Sequence, residues 1–164
     1  MSSIRDPRGD EPAGVSVILA LVIGVTSFVS LTILGLGMLS YFADVDIISV
    51  PELSMWPGIV GMVAATLVFA VITRSVLSRP HPSFRSAATI GFCSALTHLA
   101  GVWLGALLGG VGLVHAAAAV SQLIVRGSSL VVLTAAAVGA WAAIALRRTR
   151  ASAPHWPWER ADEE

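Results

Sequence analysis

The sequence predicts an all-α integral membrane protein, a four-helix transmembrane bundle with both termini on the same side. Three observations predict it. Of 164 residues, 55% are apolar and only 12% charged, against roughly 25% charged in a soluble domain. Long stretches carry no charge: no ionisable group falls between Gly14 and Tyr41, and none between Met55 and Thr73. The arginines, the only strong bases because Lys is absent, gather in alternate connections. A hydrocarbon core of about 30 Å takes about 20 helical residues to cross, and each charge-free run is of that order.

The first span is placed at 15–42, with Tyr41 and Phe42 where an aromatic belt sits. The leader before it, residues 1–14, mixes Arg5 and Arg8 with Asp6, Asp10 and Glu11. The apolar run far exceeds the roughly 7–15 residues of a signal-peptide core, so it reads as a retained span. A connection with Asp44, Asp46 and Glu52 and no base follows. The second span, 55–73, is bracketed at its entry by Pro51 and Pro57, with Trp56 at the interface. Residues 74–86 form a basic hinge: Arg74, Arg79 and Arg85 surround Pro80-His81-Pro82, where proline forbids helix continuation.

The third span, 87–110, is closed by Gly109, Gly110 and Gly112. Residues 111–146 then remain apolar, and as one helix they would run about 54 Å, too long for a single crossing. The fourth span is therefore placed at 128–146, after Arg126-Gly127-Ser128-Ser129, with Trp141 near its inner end. Residues 113–125 become an interfacial or re-entrant helix, or an early, tilted start of the fourth. Cytoplasmic flanks collect basic residues. The hinge at 74–86 and the segment with Arg147, Arg148 and Arg150 are then both inside, which puts the leader and the tail, 147–164, in the cytoplasm.

Two patterns lie within the spans. Gly101-x-x-x-Gly105-x-x-x-Gly109 puts glycines on one helix face, and small faces recur at Ala135, Gly139 and Ala143 and, more loosely, at Gly58, Gly61 and Ala65. Close backbone approach drives helix association in lipid, so these faces read as seams, within one bundle or between subunits. His98 is the one ionisable group near mid-span, with Ser94 a turn away. Buried ionisable groups are functional candidates in membranes. A neutral imidazole is also cheap to bury, and a backbone carbonyl or Thr26, Ser27 or Ser30 of the first span could satisfy it.

Other chemistry lacks parts. A net charge of zero leaves no footprint for nucleic acid, and Cys93, the single cysteine, excludes an intramolecular disulfide. His115 would lie about 25 Å beyond His98 on a continuous helix, which excludes a bis-histidine haem site. No carboxylate lies in a span, and neither Cys-x-x-Cys nor Gly-x-Ser-x-Gly occurs. No cofactor, metal or catalytic residue is expected. Four-span small multidrug exporters resemble the chain in size, but they rely on a carboxylate in the first helix that this chain lacks.

The tail carries Pro154-His155-Trp156-Pro157-Trp158-Glu159, where Trp156 and Trp158 serve either as headgroup anchors or as contacts for a partner. The architecture and the Trp-Pro-Trp-Glu ending resemble uncharacterised small four-span membrane proteins of GC-rich actinobacteria. The resemblance implies a bacterial cytoplasmic membrane and brings no activity with it. The expected function is a non-enzymatic accessory or scaffold protein. It associates with a membrane-protein partner or a second copy through small-residue helix faces and the Trp-rich tail. The alternative is a small transporter or channel with a polar path past His98.

Overall fold

Charge-free sequence in lipid must satisfy its backbone hydrogen bonds internally, and helix does so within one segment. The computed structural model describes residues 15–43 and 55–149, and these contain helices and no strand. The helices are α1 (Val17–Ala43), α2 (Trp56–Leu77), α3 (Arg85–Leu108), α4 (Gly112–Val125) and α5 (Ser128–Arg148). All but α4 are long and apolar enough to cross a membrane. The chain is a multi-pass helical membrane protein.

Helix α2 continues past Arg74 to Leu77, beyond the expected stop at residue 73. An arginine in the last turn complements the negative helix end, and the Ser78 hydroxyl donates to the Arg74 carbonyl at 2.9 Å. Pro80 then forbids further helix. At α3 the end is set by Gly110 in the left-handed conformation (φ 81°). Its N–H donates to the Leu107 carbonyl at 3.0 Å, and the Val111 N–H reaches back to Ala106. Glycine adopts that backbone without the usual steric penalty.

Contacts at one end of the bundle fix the topology. The Arg147 guanidinium, at the end of α5, donates to the carbonyls of Val15 before α1 (3.2 Å) and Leu77 at the end of α2 (3.5 Å). Arg148 lies over the ring of Phe84, the residue before α3, at 4.7 Å. The start of α1, the end of α2, the start of α3 and the end of α5 therefore share one end. The four long helices run alternately up and down. Around the ring the order is α1, α2, α3, α5, with α4 packed on α3 and α5.

Each helix buries one narrow stripe. On α1 it is Ala20, Gly24, Phe28 and Thr32; on α2 it is Gly61, Ala65, Phe69 and Thr73. A spacing of four keeps these residues on one face. Phe28 stacks on Phe69 at 4.7 Å and fills the centre. Hydroxyls elsewhere turn back on their own helix: Thr66 donates to Met62 and Thr97 to Cys93, both at 2.8 Å.

Residues 113–125, open to three readings from the sequence alone, belong to a separate helix, α4. Ser129 and Leu130, at the start of α5, share a groove with Phe92, Ala95, Leu96 and Leu99 of α3. α5 therefore begins beside the middle of α3, about 14 Å short of Leu108 at ~1.5 Å per residue. α4 covers that descent at a slant, burying Ala116, Ala119 and Leu123. Gly127, left-handed at φ 83°, breaks it from α5. The fourth crossing is α5 alone, and α4 is a short apolar helix packed beside it.

Candidate functional site

The glycine seam is internal to the bundle. A Cβ at Gly101 would lie 2.7 Å from the Gly61 Cα, and one at Gly105 would lie 2.9 Å from the Pro57 Cα. These positions permit α2 and α3 to touch backbone to backbone. Gly109 takes no part, since its nearest neighbours are carbonyls of its own helix. Gly58 has nothing within 4 Å. Of the small residues expected on α2, it is Gly61 that meets the α3 seam.

The face of Ala135, Gly139 and Ala143 packs elsewhere. A Cβ at Gly139 would meet the Gly24 carbonyl oxygen at 2.9 Å, and one at Gly24 would meet the Ala143 Cβ at 2.9 Å. This second seam joins α1 to α5. Gly24 is an addition to the small residues expected at the seams, and its spacing from Ala20 and Phe28 is the signal that marks it. A third contact, Gly91 of α3 against the Leu133 carbonyl and Ala137, closes α3 on α5.

His98 lies at the first of these seams. It is 5% exposed, and its backbone carbonyl oxygen lies 2.8 Å from where a Cβ at Gly61 would sit. Its Nδ1 and the Oγ of Ser94 are buried without a hydrogen-bond partner. Both residues belong to the buried face of α3. Thr26, Ser27 and Ser30 are not gathered with them. They line a groove of about 480 Å³ between α1 and α5 with Val22, Ile23, Leu31, Val138 and Ala142. The expected grouping of His98 with these hydroxyls is therefore corrected: α1 turns Phe28 inward and Thr26 and Ser30 outward.

A buried hydroxyl without a partner contributes little or costs stability. Ser94→Ala is accordingly expected to leave thermal stability in detergent within about 1 kcal/mol of the parent, or to raise it. A loss above about 2 kcal/mol would show that Ser94 holds a partner such as a buried water.

Among the described residues, no group of three or more His, Cys, Asp or Glu side chains could hold a metal ion. What the arrangement offers is packing, with His98 and Ser94 buried at a seam and three hydroxyls in an open groove. The sequence pattern of DUF6121, a family of unknown function, spans residues 10–164 of this chain. The chain belongs to that family. No curated protein and no solved structure matches it.

In this DUF6121 member the end carrying Arg147 holds residues that no sequence motif marks as a site. Phe84 sits between Arg148 and Trp141, whose ring centroid is 6.3 Å away. The signal available in the sequence is an aromatic residue just after the Pro-His-Pro hinge and an arginine pair after the last span. Trp156 and Trp158 lie outside the described residues, as do Asp44, Asp46 and Glu52.

Proposed function

We propose that this DUF6121 protein is a non-enzymatic accessory or scaffold subunit of the bacterial cytoplasmic membrane. Both termini lie in the cytoplasm, and it binds a helix of another membrane protein. The observation that carries the reading is the contrast between closed and open faces. The Gly61–Gly101 and Gly24–Gly139 seams are filled by the chain's own helices, so a partner needs another surface. The α1–α5 groove, with Thr26, Ser27 and Ser30 at mid-helix, is open. Interhelical hydroxyl bonds hold membrane helices together with about 0.6 kcal/mol each on average. Trp156 and Trp158 supply a second contact on the cytoplasmic side. The orientation rests on the arginines: Arg79, Arg85, Arg147 and Arg148 flank the end where α1 starts and α5 finishes, and basic flanks stay inside.

The test places a photo-crosslinking residue at Ser30, in the groove, and at Val71, which is 68% exposed on α2. In native membranes the expected result is a discrete adduct with one other membrane protein from position 30 and none from position 71. Equal adducts from both, or only a self-adduct, would overturn the reading.

The transport alternative needs a polar path joining His98 to the first-span hydroxyls. The Gly61 contact on one side of the bundle and the α1–α5 groove on another give that path no support.

A further inference from the structure

The described residues contain six arginines and no carboxylate: Arg74, Arg79, Arg85, Arg126, Arg147 and Arg148. Five of these, all but Arg126, flank or face the hinge end, and Arg147 is already bonded to two carbonyls there. Arg85 and Arg148 differ from the rest in what lies beside them.

On α3, Arg85, Phe92, Leu96 and Leu99 are spaced 7, 11 and 14 residues from the first, which keeps them on one side of a helix with 3.6 residues per turn. On α5, Leu130, Ala137, Trp141 and Arg148 are spaced 7, 11 and 18 residues from the first, again on one side. The two stripes adjoin. Phe92, Leu96, Leu99, Leu130 and Leu133 line one shallow apolar groove of about 210 Å³ between α3 and α5. At the hinge end the α3 stripe starts at Arg85 and the α5 stripe ends at Arg148, and Phe84, next to Arg85 in sequence, contacts both Arg148 and Trp141. Trp141 is 55% and Phe84 40% exposed, although both are large and aromatic. From Phe84 the groove begins at Phe92 and passes Leu96, which is about 18 Å away at ~1.5 Å per residue. One leaflet of a ~30 Å hydrocarbon core is about 15 Å deep.

We propose that this face binds one anionic phospholipid, its phosphate held by Arg85 and Arg148 and one acyl chain laid in the α3–α5 groove. The assignment rests on charge, geometry and depth. Two exposed guanidinium groups, Arg85 and Arg148, flank one helix junction, and no carboxylate among the described residues is there to pair with them. The Arg148 guanidinium lies 4.7 Å from the Phe84 ring centroid, and a guanidinium so placed keeps N–H groups for paired bonds to phosphate oxygens. An exposed tryptophan beside a basic cluster at a helix end marks the headgroup layer, where basic pockets between spans bind acidic headgroups. This lipid site goes beyond the scaffold reading and needs only that the chain lies in a membrane.

The experiment uses the full chain purified in mild detergent, with unfolding temperature measured as lipid is added. Phosphatidylglycerol is expected to raise the unfolding temperature by several degrees and phosphatidylcholine to leave it unchanged. The rise is expected to vanish in Arg85→Gln/Arg148→Gln and to persist in Arg74→Gln/Arg79→Gln, both judged folded by circular dichroism. Should the Arg85/Arg148 variant fail to fold, Trp141→Ala is the second test, expected to reduce the rise at least by half. An equal response to phosphatidylcholine would overturn the proposal, as would a rise that survives Arg85→Gln/Arg148→Gln. A rise reproduced by inorganic phosphate alone would assign the arginines to a free anion and overturn the lipid. A rise that emerges only after truncation behind Thr149 would show the acidic tail occupying the site, and would overturn it too. Because no partner protein is present, failure here leaves the scaffold reading untouched, and failure of the crosslink leaves this one untouched.

Discussion

Gly101→Ala is expected to destabilise the bundle by about 3 kcal/mol, at the upper end of overpacking costs, while Gly58→Ala is neutral or mildly stabilising. The two residues lie at the same helix pair yet face different surroundings. A methyl at Gly101 meets the Gly61 Cα at 2.7 Å and the Gly61 nitrogen at 3.3 Å. Both are backbone atoms, which cannot swing aside as a side chain can. The helices must separate, and every contact along α2 and α3 weakens with them. Water drives soluble helices together over an imperfect seam, but lipid supplies no such force. The cost is therefore concentrated in lost close contact. A methyl at Gly58 meets nothing within 4 Å and gains up to about 1 kcal/mol of helix propensity. Reversible unfolding in mixed micelles, followed by circular dichroism, measures both. Equal effects from the two substitutions would mean that α2 and α3 do not meet at Gly101.

The second large effect is expected at Arg147. Arg147→Met should cost about 2–3 kcal/mol, the value of a charged hydrogen bond lost together with the part-buried carbonyl acceptors it leaves unsatisfied. The shorter bond, 3.2 Å to Val15, contributes most, since 3.5 Å to Leu77 is at the limit of hydrogen-bond geometry. One side chain here joins the start of α1 to the ends of α2 and α5, segments 132 and 70 residues away in sequence. Lysine offers a single ammonium where arginine offers a fork, so Arg147→Lys should recover less than half of the loss. Arg148→Met, next along the chain, removes only an exposed contact with an aromatic ring and should cost below about 1 kcal/mol. Parallel unfolding curves of the three variants decide it. Similar losses at 147 and 148 would mean that net charge, and not the carbonyl contacts, stabilises this end.

The number and position of the long helices are readable in the sequence because lipid imposes a simple rule: a crossing needs an uncharged run of sufficient length. The charge-free stretches up to Tyr41 and from Met55 to Thr73 obey it, and α1 and α2 occupy them. The end of α2 escapes the rule, because an arginine need not be a boundary and Arg74 is carried within the last turn of the helix. The faces of the small residues are readable too, since Gly101 and Gly105 repeat at four. Which helix they meet is not. In water, the apolar side of a helix identifies its buried side; in lipid, both sides are apolar and the pattern loses its direction. Nothing local therefore tells Ala135, Gly139 and Ala143 to pack on Gly24 of α1 rather than on the glycines of α3. The same ambiguity groups His98 with Thr26, Ser27 and Ser30. Those residues share a membrane depth by sequence, but the order of helices around the ring separates them. Gly127 is visible as a break, yet its consequence for α4 depends on the register of α5 against α3, which no local pattern encodes.

That interruption has a consequence for the bilayer itself. The helix α1 has 27 residues and α5 only 21, about 40 Å against about 31 Å at 1.5 Å per residue. The missing length lies wholly on the side away from the arginine end, where α4 slants across it with Leu113, Val114, Ile124 and Val125 exposed. Lipids in that leaflet meet a tall wall beside α1 and a sloping one beside α4. At about 31 Å, α5 by itself matches a hydrocarbon core of about 30 Å, and it is α1 that exceeds it. Excess length of this kind is relieved by tilt or by local thickening of the bilayer, at a cost of a fraction of a kcal/mol per Å of mismatch. The expected consequence is a bilayer thicker beside α1 than beside α4.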